Sequence, residues 1–155
     1  MSRQRTAARL LVDCLREEGV EYVFGVPGEE TMDILDALAD EPSIRHLSTR
    51  HEQGAAFAAD VYGRLTGRPG VVLATLGPGA TNLLTGVADA HLDRAPLVAI
   101  TGQVNSAAIG TDAFQEADIR GITMPITKHN YLVTNADEIP RVIAEAFHIA
   151  ATGRP

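Results

Sequence analysis

Two runs constrain this chain more than anything else in it: Gly70–Thr75, GVVLAT, and Pro96–Thr101, PLVAIT. Both are short, continuously apolar and rich in β-branched residues, the pattern of strands buried on both faces of a parallel sheet. Between them Ala80–His91 carries its apolar residues at helical spacing. Strand, helix, strand in that order is the repeating unit of an α/β domain.

The rest of the chain keeps the alternation. Arg3–Glu18 sets Ala7, Leu10, Leu11, Cys14 and Leu15 on one helical stripe and closes at Gly19. Glu21–Val26 reads as a short strand, Thr31–Ala39 as a helix and Ile44–Ser48 as a strand. Glu52–Leu65 is a helix stopped by Gly67-Arg68-Pro69. Gly102–Glu116 has no clear period and reads as a long loop, and Asp118–Met124 as a short helix. His129–Thr134 is a further strand and Asp137–Thr152 the last helix. The expected architecture is α/β and three-layered, a mostly parallel six-stranded sheet with helices on both faces. At 155 residues the chain, 1–155, makes one domain. It stops at Gly153-Arg154-Pro155, straight after a helix where another strand would follow, so a longer protein is expected.

Charge and cysteine usage exclude several classes. The net charge is −7 and the Lys and Arg are scattered, which argues against a nucleic-acid partner. A small anion remains possible, because one helix N-terminus can hold a phosphate inside an acidic protein. Cys14 is the only cysteine, so no internal disulfide forms and a reducing, cytoplasmic setting is the default. Its place on the first helical stripe makes it a packed core thiol. No apolar run approaches ~18 residues, so no membrane span is expected. The N-terminal MSRQRTAARLL lacks the apolar core and cleavage site of a signal peptide.

Ligands of parallel sheets sit beyond the carboxyl ends of the strands. Here those ends gather Gly and Pro: FGVPG after the first strand, TRHEQG after the second, LGPGATN after the third and TGQ after the fourth. Any one could be a plain turn, but four in succession point to a site. GPGATN, Gly77–Asn82, resembles a dinucleotide fingerprint but has Asn in place of the last Gly and follows the wrong strand. It remains a turn that lets backbone approach a flat ligand or a phosphate. His51-Glu52 lacks the second His of a zincin, since Ala55 stands there, and the other histidines are dispersed. No metal ligand set is assigned. Glu52 itself heads a helix of small residues, Gly54, Ala55, Ala56, Ala58 and Ala59, which another surface can approach closely. A dry cleft would favour its neutral form, and the helix N-terminus its carboxylate. It is either a solvated first-turn Glu or a carboxylic acid that shares a proton with a ring nitrogen.

Six blocks carry a resemblance: FGVPG (Phe24–Gly28), RHEQGAAFAAD (Arg50–Asp60), GPGATN (Gly77–Asn82), PLVAITGQV (Pro96–Val104), IGTDAFQEADI (Ile109–Ile119) and TKHNYLV (Thr127–Val133). In this order they resemble the N-terminal, pyrimidine-binding domain of thiamine-diphosphate enzymes, and among these the catalytic subunit of acetolactate synthases. The resemblance implies the thiamine-diphosphate-binding fold, with central and diphosphate-binding domains outside this chain. It implies that Glu52 hydrogen-bonds N1′ of the cofactor's aminopyrimidine and drives the proton relay that activates it. The activity implied is decarboxylation of pyruvate and its condensation with a second 2-oxo acid, a step of branched-chain amino acid biosynthesis. Val26, Gly28, Pro78 and Asn82 are implied to line the pyrimidine pocket. Gln115 is implied to take part in catalysis facing the substrate, with Phe114 beside it, and Arg154 to contact FAD. Mg²⁺ is implied to sit with the diphosphate on a domain absent here. A homodimer or tetramer through this domain and a regulatory small subunit are implied partners.

Two departures touch the cleft: Glu29-Glu30-Thr31 after the VPG turn, and Leu76 before GPG. The alternatives are another thiamine-diphosphate 2-oxo acid decarboxylase or oxidase, and a non-catalytic dimerisation or binding module.

Overall fold

The computed structural model of the protein describes residues 6–153. Arg3–Arg5, at the start of the expected first helix, and Arg154 lie outside the described residues.

Helix α1 (Ala7–Glu17) begins where Thr6 accepts the Arg9 amide on its hydroxyl, a local N-cap that the sequence encodes. It buries Leu11, Val12 and Leu15 and leaves Cys14 half-buried at the edge of the same core. Four strands follow along the chain, β1 (Tyr22–Gly25), β2 (Arg45–Ser48), β3 (Gly70–Ala74) and β4 (Leu97–Thr101). They hydrogen-bond in the order β2-β1-β3-β4, all parallel. The register sets Phe24 beside Leu47 and Val72, and Val72 beside Ala99.

All five residues of β3 are buried, and their pleat alternates between two cores. Val71 and Leu73 join Leu11, Val12 and Leu15 with Leu38 of α2 (Met32–Ala39) and Phe147 of α7 (Ile139–Ala151). Val72 and Ala74 face Ala55, Ala56 and Ala59 of α3 (Glu52–Thr66), together with Leu83 and Val87. Helices therefore cover both faces, as a three-layer α/β domain requires. A short helix α4 (Pro78–Asn82) precedes α5 (Leu84–Asp93). The single helix expected from Ala80 thus starts two residues earlier, at Pro78. Proline fits there because a first-turn residue needs no amide hydrogen.

The strand order creates the cleft. From β1 the chain turns outward to β2, and from β3 it turns the opposite way to β4, so the two following loops diverge. Such a switch point leaves a crevice at the carboxyl ends of adjacent strands. Here it lies between VPG and GPG.

The expected count of six strands is not met: four form among the described residues. His129–Thr134 forms neither helix nor strand and pairs with no strand among the described residues. Its neighbourhood is held by side chains instead. Lys128 donates to the carbonyls of Ile149 and Thr152 at the end of α7, and Asn130 to the carbonyl of Arg120 in α6 (Ile119–Thr123). The His129 and Tyr131 rings pack edge to face at 4.5 Å. The outer edge of β4 is consequently unpaired among the described residues, and a cavity of about 830 Å³ runs beside it.

Candidate active site

His51 caps α3, its Nδ1 accepting the Gln53 amide at 3.1 Å, so that Glu52 becomes the first helical residue. That position at the end of the β2 loop turns Glu52 inward, and it is only 9% exposed. Its Oε2 accepts a hydrogen bond from Asn82 Nδ2 at 3.0 Å. The other oxygen, Oε1, has no hydrogen-bond partner among the described residues and faces Gly79, where an added Cβ would stand 3.4 Å away. A buried carboxyl with one oxygen pinned and the other open is a group prepared for an incoming donor.

The walls around it are backbone rather than side chain. A Cβ at Gly28 would lie 2.7 Å from Thr75 Cβ, and one at Gly79 would lie 2.6 Å from Thr75 Cγ2. Both glycines are therefore demanded by close approach. The Gly28 carbonyl accepts from both the amide and the hydroxyl of Thr31, which fixes the VPG turn. Val26 is half-buried at the exit of β1, and Pro78 is exposed at the head of α4. Thr75 Oγ1 donates to Glu30 Oε2 at 2.5 Å. Glu30, one of the departing residues, is thus tied to the cleft wall, whereas Leu76 is 2% exposed and serves packing rather than an open surface.

The loop carrying Phe114 and Gln115 closes the other side. Gly77 has φ 44°, and a Cβ there would come within 1.8 Å of the Gln115 carbonyl oxygen. Gln115 therefore meets the GPG turn through its backbone, while its side chain is exposed. The Phe114 ring stands 87% exposed. Glu116 accepts the amides of Gly110 and Ala113, and these bonds, above all the one from Gly110, hold its carboxyl below the ordinary carboxylate range. Among the described residues no group of three His, Cys, Asp or Glu could hold a metal ion.

A family model described as the thiamine pyrophosphate enzyme, N-terminal TPP binding domain, matches residues 5–122. The chain belongs to this family. The thiamine pyrophosphate enzyme domain is also 60% identical, over 153 residues, to the acetolactate synthase of Mycobacterium bovis, covering 99% of the chain and 25% of that protein. It is 58% identical over 150 residues to the acetolactate synthase large subunit of Corynebacterium glutamicum, covering 97% and 24%. With the chloroplastic acetolactate synthase of Arabidopsis thaliana it shares 56% over 151 residues, covering 97% and 22%. The chain spans about a quarter of the length of these relatives.

Of the residues singled out in the sequence, the structure of this thiamine pyrophosphate enzyme domain brings Glu52, Asn82 and Gly28 around one crevice, with Pro78 and Gln115 at its rim. The sequence does not single out Thr75, Gly79 or Glu116 individually. Thr75 reads as the last residue of an apolar strand, and Glu116 as the end of the long loop. Only their packing and hydrogen bonds distinguish them.

Proposed function

We propose that this chain is the pyrimidine-binding half of a thiamine-diphosphate-dependent carboligase that condenses pyruvate with a second 2-oxo acid, as an acetolactate synthase does in branched-chain amino acid biosynthesis. The isolated domain is inactive. Glu52 carries the reading: a buried carboxyl at the switch point, held on one side by Asn82 and open on the other toward Gly79.

The donor set fits an aminopyrimidine. The bare backbone at Gly28 and Gly79 leaves a slot for a flat ring, and the open Oε1 can share a proton with a ring nitrogen. Thiamine diphosphate, when bound, supplies the carbanion chemistry that decarboxylates one 2-oxo acid and joins it to another. The chain's own work is to hold and move one proton at Glu52 Oε1, a contribution of ~10²–10⁴ in rate. Asn82 keeps the carboxyl from rotating away. Val26, Gly28 and Pro78 shape the slot, and Gln115 with Phe114 faces the substrate at its mouth.

The proposal extends to Mg²⁺ held with the diphosphate outside this chain, to FAD contacting Arg154, to a homodimer or tetramer through this domain, and to a cytoplasmic location. Motif resemblance supports these. The Corynebacterium relative is named a large subunit, which supports a regulatory small subunit. No helix among the described residues is long and apolar enough to cross a membrane.

In the full-length protein, Glu52→Gln is expected to reduce acetolactate formation to less than about a tenth of wild type with the circular dichroism unchanged. A folded variant that keeps more than this contradicts the proton-relay role.

A further inference from the structure

We propose that Glu116 is a positioning residue, whose carboxylate folds the 110–116 loop and so seats Gln115 on the Gly77 turn at the mouth of the site. The proposal rests on the pyrimidine-site reading of Glu52 and its neighbours. Both oxygens of Glu116 are engaged from within its own loop, Oε1 by the Gly110 amide and Oε2 by the Ala113 amide at 3.2 Å. The amides of Thr111 and Asp112 also contribute to holding the group ionised.

The segment they gather is one the chain would not adopt unaided. Asp112 and Gln115 have φ of 57° and 61°, in the left-handed region that residues with a Cβ seldom populate, and Gly110 has φ of 80°. These reversals bring the Gln115 carbonyl onto Gly77, in the space a side chain there would fill, and turn the Phe114 ring outward. Gly77 belongs to the turn that starts α4, the helix that carries Asn82. The chain of contacts thus runs from Glu116 through the loop backbone and the GPG turn to the helix that pins Glu52.

The carboxylate is specifically required. Two convergent amide donors need two acceptor oxygens, and a glutamine side chain would place an NH₂ donor against one of them. Hydrogen bonds to an ionised acceptor are also the stronger ones, so the neutral amide loses on both counts.

The test uses the full-length protein with Glu116→Gln, read by hydrogen-exchange mass spectrometry and by steady-state kinetics with pyruvate. Amide exchange across 110–116 is expected to rise by about tenfold, the scale of one lost charge-assisted bond. KM for pyruvate is expected to rise by about tenfold while kcat stays within about threefold, because the loop orients substrate and carries no proton. The Glu138→Gln variant, whose carboxylate pairs with the exposed Arg141 away from this loop, should change neither. Unchanged exchange in 110–116 overturns the proposal whatever the activity. Faster exchange with unaltered KM and kcat overturns the positioning role. If Glu52→Gln keeps its activity while Glu116→Gln loosens the loop and raises KM, the proton-relay reading fails and the role of Glu116 stands.

Discussion

A single carboxyl and a single amide, thirty residues apart in sequence, meet in the crevice. Their pairing follows from helix starts: His51 caps α3 one residue before Glu52, and Pro78 starts the turn of helix that ends at Asn82. Another polar side chain, His46 on β2, sits in the opposite situation. Its Nε2 is buried without a partner among the described residues, and burial holds the imidazole below its ordinary value of 6.5. As pH falls through that value the unfolded chain takes up the proton first, so folding loses stability between 6.5 and the depressed value of the folded state. The urea midpoint of the wild type should therefore drop between about pH 7 and about pH 5.5, and His46→Met should flatten that drop. Equal slopes for both proteins would remove His46 as the cause.

At the level of elements, the α3–α5 pair governs the site, because α3 begins with Glu52 and α5 continues the helix that ends at Asn82. The two helices meet through small residues. A Cβ at Gly86 would come within 2.5 Å of Ala56 Cβ. Arg64 clamps the same pair, bonding the buried Asp60 on its own helix and Asp89 and Asp93 on α5. Gly86→Val must push the helices apart and should cost about 1–3 kcal/mol by urea denaturation, the usual range for overpacking. Activity of the full-length protein should fall with it, since the Glu52–Asn82 bond spans the widened seam. A stable but inactive variant would place the damage at that bond; an active one would show that the seam has slack.

For the molecule as a whole, most of the architecture was legible because burial writes itself into composition. The runs at 70–75 and 96–101 became β3 and β4, and the strand-end glycines converged on one crevice. The segment 129–134, though rich in Tyr, Leu, Val and Thr, did not become a strand. Strand formation depends on a partner edge more than on residue type, and there Lys128 bonds a carbonyl at the end of α7 and Asn130 one within α6. The Glu52–Asn82 bond was invisible for a related reason: no local period connects residues brought together by a sheet crossover. Under the proposal that Mg²⁺ and the diphosphate are held outside this chain, residues 1–155 expressed alone should bind thiamine diphosphate only weakly. Titration calorimetry showing tight, Mg²⁺-dependent binding would overturn that assignment. Among the described residues the border of β4 is unpaired, and this has its own consequence. Its outward carbonyls and amides, beside an apolar hollow, offer any extended strand a ready template. Concentrated solutions of the isolated chain should therefore associate through one row of peptide groups that is uncapped among the described residues, in spite of the net charge of −7.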